Sequence, residues 1–190
     1  MTTGQWITSP DGARWFFDSG SLALDFGYTG DYGYGVAEWE HLHTPADLAD
    51  WVTERFGPFA DTPTAADLIE AFALREAVTQ LALALADARS ADAAHIDTVN
   101  RFATAPPPVP YLDGGTTTAI PTEVSAALSA IARDAIATFD RPSRVRRCGG
   151  DNCALVFFDT SRPGTRRWCS MRRCGNRTKI RRSRAKRSTP

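Results

Sequence analysis

Apolar positions recur along the chain with two different periods, and the change between them predicts strands first and helices afterwards. Ala13-Arg-Trp-Phe-Phe-Asp18 and, after Ser19-Gly20, Ser21-Leu-Ala-Leu-Asp-Phe26 read as two short strands around a turn. In the second, Leu22, Leu24 and Phe26 share one face by the period of two, which places Asp25 on the other. The Gly- and Tyr-rich stretch from Gly27 to Gly35 that follows reads as a flexible loop, or as a lid over a ligand.

From residue 44 the period becomes helical. Thr44-Pro-Ala-Asp47 offers an N-cap, a proline at the first helical position and a returning carboxylate, opening a helix to Phe56 with Leu48, Trp51 and Val52 inward. Thr64-Ala-Ala-Asp67 opens a longer core helix to about Ala88 through Leu68, Phe72, Val78, Leu81 and Leu85. A third helix is expected from about Ala91 to Ala103, ended by the proline run at 106–110. A fourth runs from about Thr122 to Phe139 and buries Val124, Leu128, Ile131 and Ile136. Between them Tyr111 to Ile120 fits a hairpin, and Asp140-Arg-Pro-Ser143 fits a hinge. The expected fold is a mainly α domain with a small β-sheet, of α+β type, over residues 1–140, joined to a separate tail domain, residues 141–190.

Charge changes this picture more than composition does. Overall the 190 residues balance 22 Lys or Arg against 22 Asp or Glu, and 43% hydrophobic content is ordinary for a globular protein. Split at residue 140, the body has six Arg against twenty acidic groups, a net −14, and the tail has sixteen Lys or Arg against two Asp, a net +14. That asymmetry suits a tail that meets a polyanion, and it also raises the prospect that the body masks its own tail. No apolar run reaches membrane-spanning length, and the N-terminal stretch has neither a basic nor an apolar signal region, so a cytoplasmic location is expected.

All four cysteines, Cys148, Cys153, Cys169 and Cys174, lie in the tail as two CxxxxC pairs with fifteen residues between them. Four thiolates at such spacing read as a closed tetrahedral site for one structural zinc ion, whereas a disulfide pair needs an oxidising compartment. Leu155-Val-Phe-Phe158 and Arg166-Arg-Trp168 read as two strands around the Ser161–Gly164 turn, followed by a basic helix capped by Ser170, with Met171 and Cys174 against the hairpin. The module expected is a treble-clef-like β-hairpin plus helix, with Arg146, Arg147, Arg172 and Arg173 beside the thiolates to offset their charge. Candidate nucleic-acid contacts are Arg172, Arg173, Asn176, Arg177, Lys179, Arg181, Arg182 and Arg184. Phe157 and Phe158 are either stacking platforms or core.

The run Cys169-Ser-Met-Arg-Arg-Cys174-Gly-Asn-Arg177, with Cys148 and Cys153 upstream, resembles the CGNR zinc finger, a bacterial module, over about residues 143–185. The resemblance implies a preceding helical ABATE domain, found in proteins regarded as stress-induced transcription regulators. Leu22-Ala-Leu-Asp-Phe26 and Leu74-Arg75-Glu76 are similar to parts of that domain, although the segment after Phe26 departs from the Asn-Thr-like continuation expected.

These readings point to a DNA-binding regulator rather than an enzyme. A nuclease would need a histidine or carboxylate base and an open metal position, yet His41, His43 and His95 all lie in the body. RNA, as for a ribosome-associated zinc ribbon, is the alternative partner, since phosphate attraction serves both nucleic acids. In the body, Asp25 and Arg75 are expected to meet as a buried structural ion pair; the alternative is that Asp25, Tyr28 and Arg75 line a pocket through which the body binds or turns over a small molecule. His41 and His43 read as a solvated loop, and the oligomeric state, monomer or dimer, is left open.

Overall fold

The computed structural model describes residues 3–8, 12–118 and 121–187, with the side chains of Asp113, Thr116, Thr117, Thr118 and Arg182 and of residues 184–187 outside that description. The order is β1 (Gln5–Thr8), β2 (Arg14–Phe17), α1 (Leu22–Gly27), α2 (Pro45–Phe56), α3 (Ala65–Ala86), α4 (Ala93–Ala103), β3 (Tyr111–Asp113), β4 (Thr116–Thr118), α5 (Val124–Phe139), β5 (Val145–Arg147), β6 (Val156–Phe158) and α6 (Asn176–Arg187). The strands form three antiparallel pairs, β1 with β2, β3 with β4 and β5 with β6. The result is mainly helical with small sheets, and no described helix is long and apolar enough to cross a membrane.

Helices α2 and α3 start where their capping boxes predict. The Thr44 hydroxyl accepts from the Asp47 N–H at 3.3 Å while the Asp47 carboxylate accepts from the Thr44 N–H at 2.7 Å. Thr64 and Asp67 repeat the exchange at 3.3 and 2.8 Å. Each box contributes about 1 kcal/mol. Leu48, Trp51, Val52, Leu68, Val78, Leu81, Val124, Leu128 and Ile131 are buried as their spacing predicts, and they build the body's core with Leu74 and Ala127. Ile136 is the exception, being exposed on α5. The hairpin expected after the proline run is present as β3 and β4, with residues 119 and 120 of that segment outside the described residues.

The predicted strand Ser21–Phe26 is a helix instead, α1, and every residue from Leu22 to Gly27 is buried. An element buried on all sides has no polar stripe, so its alternating leucines imitate a strand. What makes the helix is its N-terminus. The Ser21 hydroxyl accepts from the Leu24 N–H, and the Asp134 carboxylate of α5 accepts from the Ala23 N–H at 2.8 Å and the Ser21 hydroxyl at 2.6 Å. A carboxylate at the positive end of a short helix satisfies donors that water cannot reach. Leu22 and Phe26, four residues apart, enter the body core. Leu24 and Tyr28, also four apart, enter a second core that contains β6, Cys148, Cys169 and Cys174.

That second core removes the hinge expected at Asp140–Ser143. Body and tail interlock through backbone groups: the Phe158 N–H donates to Ser19 O at 2.7 Å, and the Arg166 guanidinium donates to Asp18 O at 2.9 Å. Tyr28 is buried between the two, its hydroxyl donating to Val156 O at 2.9 Å and accepting from Val156 N–H at 2.7 Å. Gly20, at φ 78°, passes so close to β6 that a Cβ there would meet Phe158 O at 2.3 Å. Nor is the Tyr-rich segment a lid. Tyr28 and Tyr32 stack at 4.2 Å and are both buried under the tail.

Two outcomes follow from these buried polar groups. Tyr28→Phe leaves the Val156 N–H without its acceptor and is expected to lower unfolding stability by about 1–3 kcal/mol in urea titrations. Asp25 is 0% exposed, and burial pushes its carboxyl from 3.8 up to about 6 despite hydrogen bonds from Ser19 and the Gly4 N–H. The folded chain therefore keeps a proton that the unfolded chain releases, so this group contributes stability below about pH 4 that is lost as pH rises toward 6. Measured as the difference between wild type and Asp25→Asn, the stability balance is expected to move toward Asn by on the order of 3 kcal/mol across that window. A difference that does not change with pH would contradict the buried, protonated carboxyl.

Candidate metal centre and nucleic-acid interface

Each cysteine sits where a strand end or a tight turn fixes its direction. Cys148 follows β5 and its N–H donates to Leu155 O at 2.8 Å, continuing the β5–β6 ladder beyond the strands. Cys153 closes a turn back to Gly150 O at 3.1 Å, and a Cβ at Gly150 would stand 3.1 Å from the Cys174 sulfur. A side chain there would crowd the sulfurs. Cys169 and Cys174 flank Ser170, which caps the wide turn Met171–Gly175 leading into α6. The Arg166–Trp168 segment predicted as a strand is not one, since the partner of β6 is β5. Arg166 instead lays its guanidinium 4.3 Å over Phe157 and ties down Trp168 O and Cys169 O.

The four sulfurs lie within 4.8 Å of one another, with Cys153–Cys169 and Cys169–Cys174 separations of 3.6 Å. A disulfide requires about 2.05 Å. Four thiolates at about 2.3 Å from a tetrahedral zinc ion stand roughly 3.8 Å apart, so the quartet has the dimensions of a closed zinc site. Hydrogen bonds from Cys153 and Cys169 pull the Cys148 thiol down, and the same contacts push Cys153 and Cys169 up. Four thiolates this close repel one another, and a cation among them is what would let all four ionise together. The Cys169 N–H donates to the Cys148 sulfur at 3.3 Å, a second contact that favours thiolate there.

The arginines expected beside the thiolates have other partners. Arg147 forms a two-pronged pair with Asp87 of the body at 2.7 and 2.8 Å, Arg146 donates to Ser143 O, and Arg173 lies 3.5 Å over the Trp15 ring. Phe157 and Phe158 are core, at 0% and 6% exposure, and are closed to bases. Met171, expected against the hairpin, is exposed.

On α6 the buried side is Thr178, whose hydroxyl donates to Cys174 O at 2.9 Å. Arg172, Asn176, Arg177, Lys179 and Arg181 are exposed, and Arg173 is half-buried. Arg181 pairs with Asp151 on the Cys148–Cys153 turn. Among the described residues, the ion pair joining tail to acidic body is Arg147–Asp87, and the exposed face of α6 makes none with the body. What sequence reasoning missed is β1. Its Trp6 pairs with Phe16 of β2, and this hairpin stands opposite α6 across a groove. The aromatic run Trp15-Phe16-Phe17 gave β2 away, but β1 alone is too short to signal itself.

The proposed effector pocket does not assemble. Asp25 accepts from Ser19 Oγ and Gly4 N–H, both at 2.6 Å, and Tyr28 is bound to Val156. Arg75 forms a two-pronged pair with Glu40 at 2.7 and 2.6 Å rather than with Asp25. Burial raises the Glu40 carboxyl, but the Arg75 guanidinium outweighs this and holds it below the usual carboxylate range. His41 and His43 are exposed ahead of the Thr44 cap, as a solvated loop requires.

Purified protein is expected to contain one zinc ion per chain by atomic absorption and to release it as acid reprotonates the thiolates. Cys169→Ser and Cys174→Ser should each lower that content sharply. A zinc-free chain with disulfides detected by mass spectrometry would contradict the assignment.

Comparison with known families bears on the whole chain. Residues 144–187 match the CGNR zinc finger, and residues 20–142 match the ABATE family, described as "Putative stress-induced transcription regulator". No curated protein matches the chain. With the larger part of its length in that match, the chain belongs to the ABATE family and carries a CGNR zinc finger after the ABATE domain.

Proposed function

We propose that this protein is a DNA-binding transcription regulator whose zinc module presents α6 to DNA while the helical body serves regulation. The observation that carries the reading is the division of α6 into two sides. Thr178 and the preceding Cys174 are buried against the metal centre, and Arg172, Asn176, Arg177, Lys179 and Arg181 face solvent. A helix crowded with like charges gains nothing from its own sequence, since neighbouring cations four residues apart repel. Against phosphates the same charges release counterions and attract. Fixing the first turn of α6 through Cys174 aims those cations before binding, which lowers the ordering cost on association.

Phosphate contacts set register, and base edges set sequence. Asn176 is exposed at the first position of α6, where an amide can pair with an adenine edge. Binding rather than catalysis suits the metal centre: four thiolates leave a tetrahedral ion no position for substrate or water. The family description, a stress-induced transcription regulator, agrees with this role for the paired domains.

The test is selection from random DNA and RNA pools followed by affinity measurement across salt. Wild type is expected to enrich DNA, and Arg177→Ala with Arg181→Ala should weaken binding to all sequences and reduce the salt slope by roughly 0.9 for each phosphate no longer neutralised. Enrichment of RNA alone would transfer the module to the other partner, and an affinity indifferent to salt would end the polyanion reading.

A further inference from the structure

Between the N-terminal hairpin and α6 lies a groove of about 910 Å³. One wall carries Trp6 and Phe16, cross-strand partners whose rings meet edge to face at 5.9 Å. They are 57% and 48% exposed. Isolated surface aromatics are ordinary, but two adjacent ones facing a second wall are not. The other wall is Arg172, Arg173, Asn176 and Arg177, and Arg14 holds its guanidinium 4.8 Å over the Trp6 ring. Among the described residues no carboxylate lines the groove.

We infer that this groove holds a strand of unpaired nucleotides, with one or two bases stacked on Trp6 and Phe16 and their phosphates on Arg172, Arg173 and Arg177. The inference rests on the reading that α6 meets nucleic acid, and it deepens it by naming the form of nucleic acid. Four arginines with no carboxylate among the described lining residues select a polyanion over a peptide or an apolar ligand. Exposed ring faces then select among polyanions. In a duplex the faces of the bases are covered by their neighbours, whereas an unpaired base offers a face to any aromatic ring, largely regardless of sequence. The guanidinium already over Trp6 shows the space that such a planar group would take, and a base entering there would leave Arg14 free for phosphate. The hairpin that supplies the rings, residues 5–17, lies outside both family matches, so this wall is a feature that the zinc finger and the ABATE domain do not by themselves provide.

The experiment uses the full zinc-loaded chain with a mixed-sequence 15-nucleotide DNA and the same oligonucleotide annealed to its complement. Wild type is expected to bind the single strand at least tenfold more tightly than the duplex, with quenching of tryptophan fluorescence. The double variant Trp6→Ala, Phe16→Ala is expected to lose roughly ten- to hundredfold on the single strand, while duplex affinity, salt slope and zinc content stay unchanged. Trp6→Phe with Phe16→Tyr, which keeps both rings, should restore single-strand binding. Equal or stronger binding of duplex by wild type overturns the inference, as does an undiminished single-strand preference in the double alanine variant. Arg177→Ala separates the two levels. If it leaves affinity for both oligonucleotides untouched, the nucleic-acid reading of α6 itself falls. If it weakens both while the aromatic variants change nothing, only the unpaired-strand inference falls.

Discussion

A helix with no exposed side must obtain every polar partner from protein, and α1 is such a helix. Its free N–H groups meet the Asp134 carboxylate of α5 and the Ser21 hydroxyl, which also accepts from Thr138 at 2.9 Å. With those donors satisfied, six residues can be buried all round, one side in the body core and the other in the core beneath the metal centre. Everything else in the architecture is arranged about that position. Helix α3 packs along α1 and reaches the tail strands, α5 closes the other side, and Tyr28, just past the end of α1, carries the hydroxyl that bridges both polar groups of Val156.

The consequence is that the zinc module is not a bead on a string. A segment of its size has little core of its own, and a metal ion usually supplies what is missing. Here part is supplied by the metal centre and part by the body: Phe157 and Val156 pack beside Leu24, Phe17 and Ala82. Among the described residues, hydrogen bonds to backbone, ring stacking and apolar burial hold the seam, with Arg147–Asp87 as the ion pair across it, and Arg177, Lys179 and Arg181 of α6 are exposed.

Much of this was legible in the residues themselves. Thr44 with Asp47 and Thr64 with Asp67 announce helix starts because a cap is local chemistry, independent of what packs on it. The cysteines announce their site because metal geometry tolerates few spacings. Three features were hidden, each for a physical reason. Helix α1 lacks the polar stripe that marks a helix, so Leu22, Leu24 and Phe26 mimic a strand. Arg75 sits on the helix that packs against α1, yet it takes Glu40 from a loop whose path no periodicity describes. And β6 pairs with β5 rather than with Arg166–Trp168, where the Arg166 guanidinium holds Cys169 O and the Arg167 carbonyl accepts from the Gly149 N–H, contacts between distant side chains and turns that no local pattern encodes.

Shared packing through α1 and β6 makes metal centre, seam and basic helix one cooperative unit, and hydrogen exchange of the zinc-loaded and chelated chain, read peptide by peptide, measures that cooperativity. The expected result is that removing zinc lowers protection in residues 145–158 and 169–178 and, to a comparable degree, in α1 at 22–27. Loss of protection confined to the tail, with α1 unchanged, would contradict it.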